Sequence, residues 1–161
     1  MRFSSRSPED TKNLGQRMGR LLKPGDILLL FGDLGAGKTT LVQGIAQGME
    51  VPPDQYVRSP SFTLINEYRG RLPMYHIDLY RIESEGEMAD LGLEDYLFGE
   101  GVTLIEWGEK LFPDQKTDQP PIIPIGLRVD VRLQIEEEND RTLILTLHPE
   151  TPAGHPLFAL Q

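Results

Sequence analysis

The chain has 161 residues, 39% of them hydrophobic and 25% charged, which is the length and composition of one ordinary domain with a core of its own. Sixteen Lys and Arg against 25 Asp and Glu leave a formal charge of −9, so the summed field repels polyanions and strong autonomous binding to nucleic acid is not expected. The absence of cysteine excludes disulfide frameworks, thiolate zinc sites, iron–sulfur clusters and cysteine nucleophiles.

The longest apolar run, Ile27 to Phe31, is far below the roughly 18–20 residues that a membrane span requires. The opening Met1-Arg2-Phe3-Ser4-Ser5-Arg6 carries charge with no apolar stretch behind it, so no secretory signal is read there. A cytoplasmic protein without membrane association is the expectation.

In chain order, Ser7-Pro8-Glu9-Asp10 reads as a helix start: an N-cap, a proline at the first helical position, and acids where the helix dipole favours them. Leu14, Met18, Leu21 and Leu22 share one helical face, and Lys23-Pro24-Gly25 stops the helix. Ile27 to Phe31 is apolar at every position, as a strand covered on both faces of a parallel sheet should be. A glycine-rich turn follows, and from Thr39 the spacing of Leu41, Val42, Ile45, Ala46 and Met49 is again helical, ending near Gly48.

Ser59-Pro60-Ser61 interrupts the pattern. Phe62 to Tyr68 and Leu72 to Leu79 read as two strands joined through Arg69-Gly70-Arg71. Ser84 to Phe98 is acidic and weakly helical with a break at Gly92, and Val102 to Ile105 is a second buried strand ending in Glu106-Trp107. The proline-containing stretch Phe112 to Gly126 is expected to be a surface loop. After it, apolar residues alternate with polar ones from Leu127 to Ile135, the period of a half-buried strand, and Thr142 to Leu147 can pair back onto it. The expected organisation is one α/β domain over residues 1–148, with a mostly parallel central sheet and antiparallel hairpins at its margins. A loose tail over residues 149–161 completes it, in which Leu157-Phe158 could dock.

Gly32-Asp33-Leu34-Gly35-Ala36-Gly37-Lys38-Thr39 satisfies G-x-x-x-x-G-K-[ST] in full, between an all-apolar strand and a helix, where a phosphate-binding loop must lie. Its glycines let backbone N–H groups turn onto phosphate oxygens. The cradle is expected from Asp33, Gly35, Ala36, Gly37, Lys38, Thr39 and Thr40, with Lys38 addressing the β- and γ-phosphates and Thr39 offering a hydroxyl to Mg²⁺. Such a loop needs a carboxylate for the magnesium and another group to orient or deprotonate the attacking nucleophile. Two strand ends supply candidates, Glu106 and Asp78; the latter shares a strand face with His76 by period two. His76 itself reads as a packed or hydrogen-bonded histidine. Gln115-Lys116-Thr117-Asp118 superficially matches a guanine-reading motif, but it lacks a buried strand before it and reads as a solvated loop.

Together, the phosphate loop through Thr40, Ser59-Pro60-Ser61-Phe62-Thr63-Leu64, His76-Ile77-Asp78-Leu79-Tyr80-Arg81 and Glu106-Trp107 resemble the TsaE (YjeE) family, up to about Leu111. The resemblance implies a small P-loop ATPase that works with TsaB and TsaD; because the chain has no recognisable arginine finger, its hydrolysis is expected to be weak alone and to rise when partners are added. The product would be N6-threonylcarbamoyladenosine beside the anticodon of tRNAs that read codons beginning with A. It implies ATP and Mg²⁺ as cofactors, Lys38 as the phosphate lysine, Thr39 and Glu106 as magnesium ligands, Asp78 as the catalytic carboxylate and Trp107 as a neighbour of the nucleotide. Ser59 to Thr63 matches a switch-like loop, with Ser61 where the family usually has Thr, and the neighbourhoods of Thr11 and Arg141 would meet the adenosine end. At −9, the protein would reach tRNA only through its partners. Two other readings stay open. A small-molecule kinase would use the same loop with arginines among Arg58, Arg69, Arg71 and Arg81. A nucleotide-sensing switch would use ATP to order the Ser59 to Thr63 loop for a partner.

Overall fold

The computed structural model describes residues 1–149 and 154–160. A short strand β1 (Arg2–Ser5) leads into helix α1 (Pro8–Leu21), then strand β2 (Ile27–Phe31) and helix α2 (Lys38–Gly48). Strands β3 (Ile65–Arg69) and β4 (Pro73–Asp78) follow, then the short helices α3 (Glu85–Asp90) and α4 (Glu94–Leu97) and strand β5 (Val102–Glu106). Strands β6 (Arg128–Ile135) and β7 (Arg141–His148) complete one seven-stranded sheet, ordered β1-β7-β6-β2-β5-β4-β3. The four central strands, β6, β2, β5 and β4, run parallel. The margins are antiparallel, with β3 on β4 at one side and β7 and β1 beyond β6 at the other.

Strand alternation sorts the core into two layers. Leu28, Leu30, Met74, Val102 and Leu104 face α1 and α2, with Leu41, Val42 and Ile45 packed onto them. Ile27, Leu29, Phe31, Ile77 and Ile105 face the opposite layer, where Met88, Leu97, Leu111 and Phe112 cover them. Helix α1 is capped at both ends. Ser7 Oγ accepts from the Asp10 N–H at 3.1 Å, and the Arg71 guanidinium in the β3–β4 turn donates to the carbonyls of Gly19 and Leu22, both at 2.6 Å.

Helix α1 meets α2 across four glycines, and this contact sets the position of the phosphate loop at the head of α2. A Cβ on Gly44 would stand 2.2 Å from the Lys12 carbonyl oxygen, one on Gly48 2.1 Å from that of Gln16, and one on Gly19 2.2 Å from that of Ile45. Gly15 and Gly19 on one helix and Gly44 and Gly48 on the other lie four residues apart, so each pair shares a face. The helices touch backbone to backbone.

Several expectations change. Strand β1 has no counterpart in the sequence reading, because four residues pairing with an edge carry too little periodicity. The strand expected from Phe62 starts at Ile65, since Leu64 takes a left-handed φ of 67° and its N–H closes a turn onto the Pro60 carbonyl at 2.7 Å. The polar face of β6 is largely buried: Arg128 and Asp130 pair at 2.9 Å, and Arg128 and Arg132 lie over the rings of Phe112 and Phe31. The loop from Phe112 to Gly126 is therefore a cover, fixed by buried Phe112, Ile123 and Ile125. In the expected tail, residues 150–153 and 161 lie outside the described residues, but Pro156–Ala159 form a 3-10 turn with Leu157 fully buried. His155 holds that turn to Asp26 at 3.0 Å.

Replacing Gly44 by Ala pits helix propensity against the helix contact. A solvent-exposed Gly→Ala gains up to about 1 kcal/mol, whereas overpacking costs roughly 1–3 kcal/mol. Gly44→Ala is expected to lower the unfolding midpoint by ~2–4 °C for each kcal/mol lost. Gly86→Ala in exposed α3, where the nearest atom would be 3.9 Å away, is expected to raise it. Thermal melts followed by circular dichroism check both.

Candidate active site

The parallel register brings three strand ends to one edge, the place where open α/β sheets bind ligands. Leu30 of β2 stands beside Glu106 of β5, which stands beside Asp78 of β4. The loop from Gly32 to Thr39 leaves β2 at this edge and feeds α2. Gly35 at φ 79° has open space where a Cβ would be, while Gly32 would drive a Cβ to 2.7 Å from the Leu133 carbonyl oxygen. Gly37, at φ 103°, is the left-handed residue that starts α2. The Asp33 carbonyl accepts from the Ala36 N–H and from Lys38 Nζ, each at 3.0 Å, and Lys38 donates to the Gly32 carbonyl as well.

A cleft of about 480 Å³ joins Lys38, Thr39, Asp78, Glu106 and Trp107 to Ser59, Ser61, Tyr80 and Arg81. The Thr39 hydroxyl donates to Glu106 Oε1 at 2.8 Å, and His76 Nε2 lies 2.8 Å from the same oxygen. Asp78 is held at both oxygens: Ser59 Oγ donates to Oδ2 at 2.7 Å and the Tyr80 N–H to Oδ1 at 2.9 Å. The Trp107 ring covers Lys38, with Nζ 4.1 Å from its centroid, and packs against Tyr80 at 4.9 Å. Trp107 itself adopts φ 60°, a conformation that costs a bulky residue about 1–3 kcal/mol and that clusters at functional sites.

A second cleft of about 100 Å³ lies on the other side of the loop, lined by Thr11, Gly35, Ala36, Gly37, Thr40, Asn139 and Arg141 among others. Thr11 is buried, its hydroxyl 2.7 Å from that of Ser5. Arg141 donates to the carbonyls of Glu137, Glu138 and Asp140 at 3.1, 3.2 and 3.1 Å and reaches the Gly35 carbonyl at 3.4 Å. Thr40 lines both clefts. Apart from Asp33, the residues named for the nucleotide, the metal and catalysis line one or other of two clefts beside the loop. The sequence reading gave no role to Tyr80 or to Ser59 individually; both stand within quoted motifs, but only the fold shows that they grip Asp78. Of the four arginines considered for phosphate, Arg71 caps α1, and Arg81 reaches the larger cleft with its guanidinium 4.5 Å from the Phe62 ring centroid.

Burial pushes the Lys38 ammonium below its ordinary range, and the carboxylates of Glu106, Glu109, Asp78 and Asp33 partly restore it. A partly dehydrated cation on a loop of inward-facing amides is a receptor for an anion. Thr39 and Glu106 offer hard oxygen donors of the kind magnesium takes. Among the described residues no group of three or more His, Asp or Glu is placed to hold an ion.

Burial raises the Glu109 carboxyl above its ordinary range, against weaker opposing effects from its own backbone N–H and from Lys38, Arg132 and Lys110. Its Oε2 is buried without a hydrogen-bond partner. An acid with a raised folded-state pKa makes the protein more stable as pH falls through that pKa. Glu109→Gln is therefore expected to stabilise the protein at neutral pH, with the advantage shrinking as the medium is acidified toward the unfolded-state carboxylate range. Urea unfolding across that pH range measures the difference.

The family described as "Threonylcarbamoyl adenosine biosynthesis protein TsaE" matches residues 5–143. The chain is 45% identical over 120 residues to the tRNA threonylcarbamoyladenosine biosynthesis protein TsaE of Bacillus subtilis, covering 72% of this chain and 73% of that protein. Against the protein of the same name from Aquifex aeolicus, identity is 39% over 140 residues, covering 84% and 87%. The crystal structure of YdiB from Bacillus subtilis superimposes with a TM-score of 0.69 at 33% identity, covering 91% of this chain and 84% of the other. Because the family model spans residues 5–143 and these relatives share 45% and 39% identity over most of both chains, the chain belongs to the TsaE family.

Proposed function

We propose that this protein is a magnesium-dependent ATPase that acts with TsaB and TsaD in forming N6-threonylcarbamoyladenosine beside the anticodon of tRNAs reading codons that begin with A. The observation that carries the reading is the single cleft in which a phosphate-loop lysine, the Thr39–Glu106 pair and Asp78 converge. The names of its relatives supply the pathway. In this reading residues 1–148 form the ATPase unit with residues 149–161 appended, and the location is cytoplasmic.

In this mechanism ATP lies along the loop, with its adenosine end toward Thr11 and Arg141 and its phosphates on the amides of Asp33, Gly35, Ala36, Gly37, Lys38, Thr39 and Thr40. Lys38 turns from the loop carbonyls to the β- and γ-phosphates. Thr39 and Glu106 hold Mg²⁺, which when bound neutralises phosphate charge. Asp78, fixed at both oxygens, orients the attacking water and accepts its proton. Trp107 shields Lys38 from solvent. The contact from Ser59 to Asp78 ties the switch-like loop to the catalytic carboxylate, so loop position and hydrolysis are coupled.

Beyond Lys38, a second cation for the γ-phosphate is engaged elsewhere, because the Arg81 guanidinium, although it lines the cleft, lies over the Phe62 ring of the exposed loop. Slow turnover by the isolated protein follows. In systems that supply such a group the gain is about 10³–10⁵ in rate.

Two measurements test the reading. In the first, Glu106→Ala is expected to raise the magnesium concentration needed for tight ATP binding, while Asp78→Ala leaves binding nearly intact and removes hydrolysis; calorimetric titration and phosphate release distinguish them. The reverse pattern would exchange their roles. In the second, ATP hydrolysis and modified adenosine are followed with TsaB, TsaD, threonylcarbamoyl-adenylate and unmodified tRNA. Hydrolysis is expected to rise on adding both partners, and multiple turnover to stop when this protein is omitted. Vigorous hydrolysis alone, or phosphate transfer to metabolites, would favour the kinase reading.

A further inference from the structure

Histidine is a costly choice at position 76. Alternation along β4 puts Met74, His76 and Asp78 on the face toward α1 and α2, where Met74 and Leu104, the residue paired with His76 across β5, belong to the core. The imidazole is fully buried, and its Nδ1 has no hydrogen-bond partner. A leucine or methionine would fill the same layer without leaving a polar atom unsatisfied. The other nitrogen, Nε2, lies 2.8 Å from Glu106 Oε1. A carboxylate oxygen accepts, so Nε2 is the ring nitrogen that donates to Glu106.

Glu106 Oε1 thus receives two donors, His76 Nε2–H and the Thr39 hydroxyl, both at 2.8 Å. The other oxygen, Oε2, makes no hydrogen bond among the described residues. The two donors differ in permanence. Thr39 stands at the first turn of α2 and lines the cleft, where its hydroxyl can rotate toward a ligand. His76 lies behind the carboxylate in the sheet, locked by the β4–β5 register. When the hydroxyl turns away, only the imidazole keeps the Glu106 side chain in place.

We infer that His76 is a positioning residue that fixes the rotamer of Glu106 and so prepares the site for its divalent cation. The inference rests on the proposed magnesium role of Glu106 and adds to it the group that makes that carboxylate rigid. Partners of this kind, removed from metal-ligating side chains, typically change metal affinity by about 10–100-fold.

The test is calorimetric titration of ATP into the intact protein, in EDTA and over a series of magnesium concentrations. His76→Leu is expected to keep the affinity for metal-free ATP and to raise the magnesium midpoint by about 10–100-fold. His76→Gln, whose amide can donate to Oε1, should recover part of the shift. In a Glu106→Ala background His76→Leu should move the midpoint no further, because the group it orients is gone. If His76→Leu does not fold, His76→Asn, too short to reach Oε1, is expected to show the same shift. An unchanged midpoint in the single variant, equal losses with and without magnesium, or additive shifts in the double variant would overturn the inference alone. A wild-type protein without magnesium-dependent ATP binding would overturn both it and the reading on which it rests.

Discussion

The alignment of three parallel strands governs everything at the active edge. Because the parallel register sets Leu30 opposite Glu106 and Glu106 opposite Asp78, the loop that leaves β2 arrives beside two carboxylates. A shift of one residue in any strand would turn its terminal side chain to the other face. The apolar layers on both sides of the sheet prevent that slip, since β2 and β5 bury both faces along their whole length. The geometry of the acids is thus a by-product of core packing.

The second constraint is the backbone contact of α1 and α2. Four glycines without side chains between the helices allow an approach that no other residue permits, so the first turn of α2 sits close over β2 and β5. That closeness lets Thr39 reach Glu106 at 2.8 Å. It also places Thr11 of α1 beside Gly35 and Thr40, forming the smaller cleft. One packing device therefore sets both compartments around the loop.

Within the larger cleft every reactive group already has a partner. Lys38 is engaged by the loop carbonyls and by the Trp107 ring, Thr39 by Glu106, Asp78 by Ser59 and Tyr80, and Arg81 by Phe62. Apart from Glu106 Oε2, these contacts keep the polar groups satisfied in a partly dehydrated site, and a ligand must exchange contacts to enter. Loss of hydration lowers the proton affinity of Lys38, and an incoming anion reverses that effect. The net charge of −9 resides mainly outside the loop, so the protein combines a local anion receptor with a surface that repels large polyanions.

The sequence by itself determined the strand, loop and helix around Lys38, the β3–β4 hairpin, the broken acidic helices and the β6–β7 pair. Each of these depends on residue spacing over a few positions, which local sterics and periodicity convert directly into structure. It also singled out Glu106, which ends an apolar run, and Asp78, near the end of a strand-like segment and on one face with His76. Tertiary structure alone decided that β1 pairs with the far edge and that Arg128 and Asp130 are buried beneath the cover from Phe112. It likewise decided that Leu157 plugs the core, that Gly15, Gly19, Gly44 and Gly48 form a single contact, and that His76 faces Glu106. These features join residues distant in the chain, and which side chains meet there is set by sheet order and packing; no local pattern encodes it.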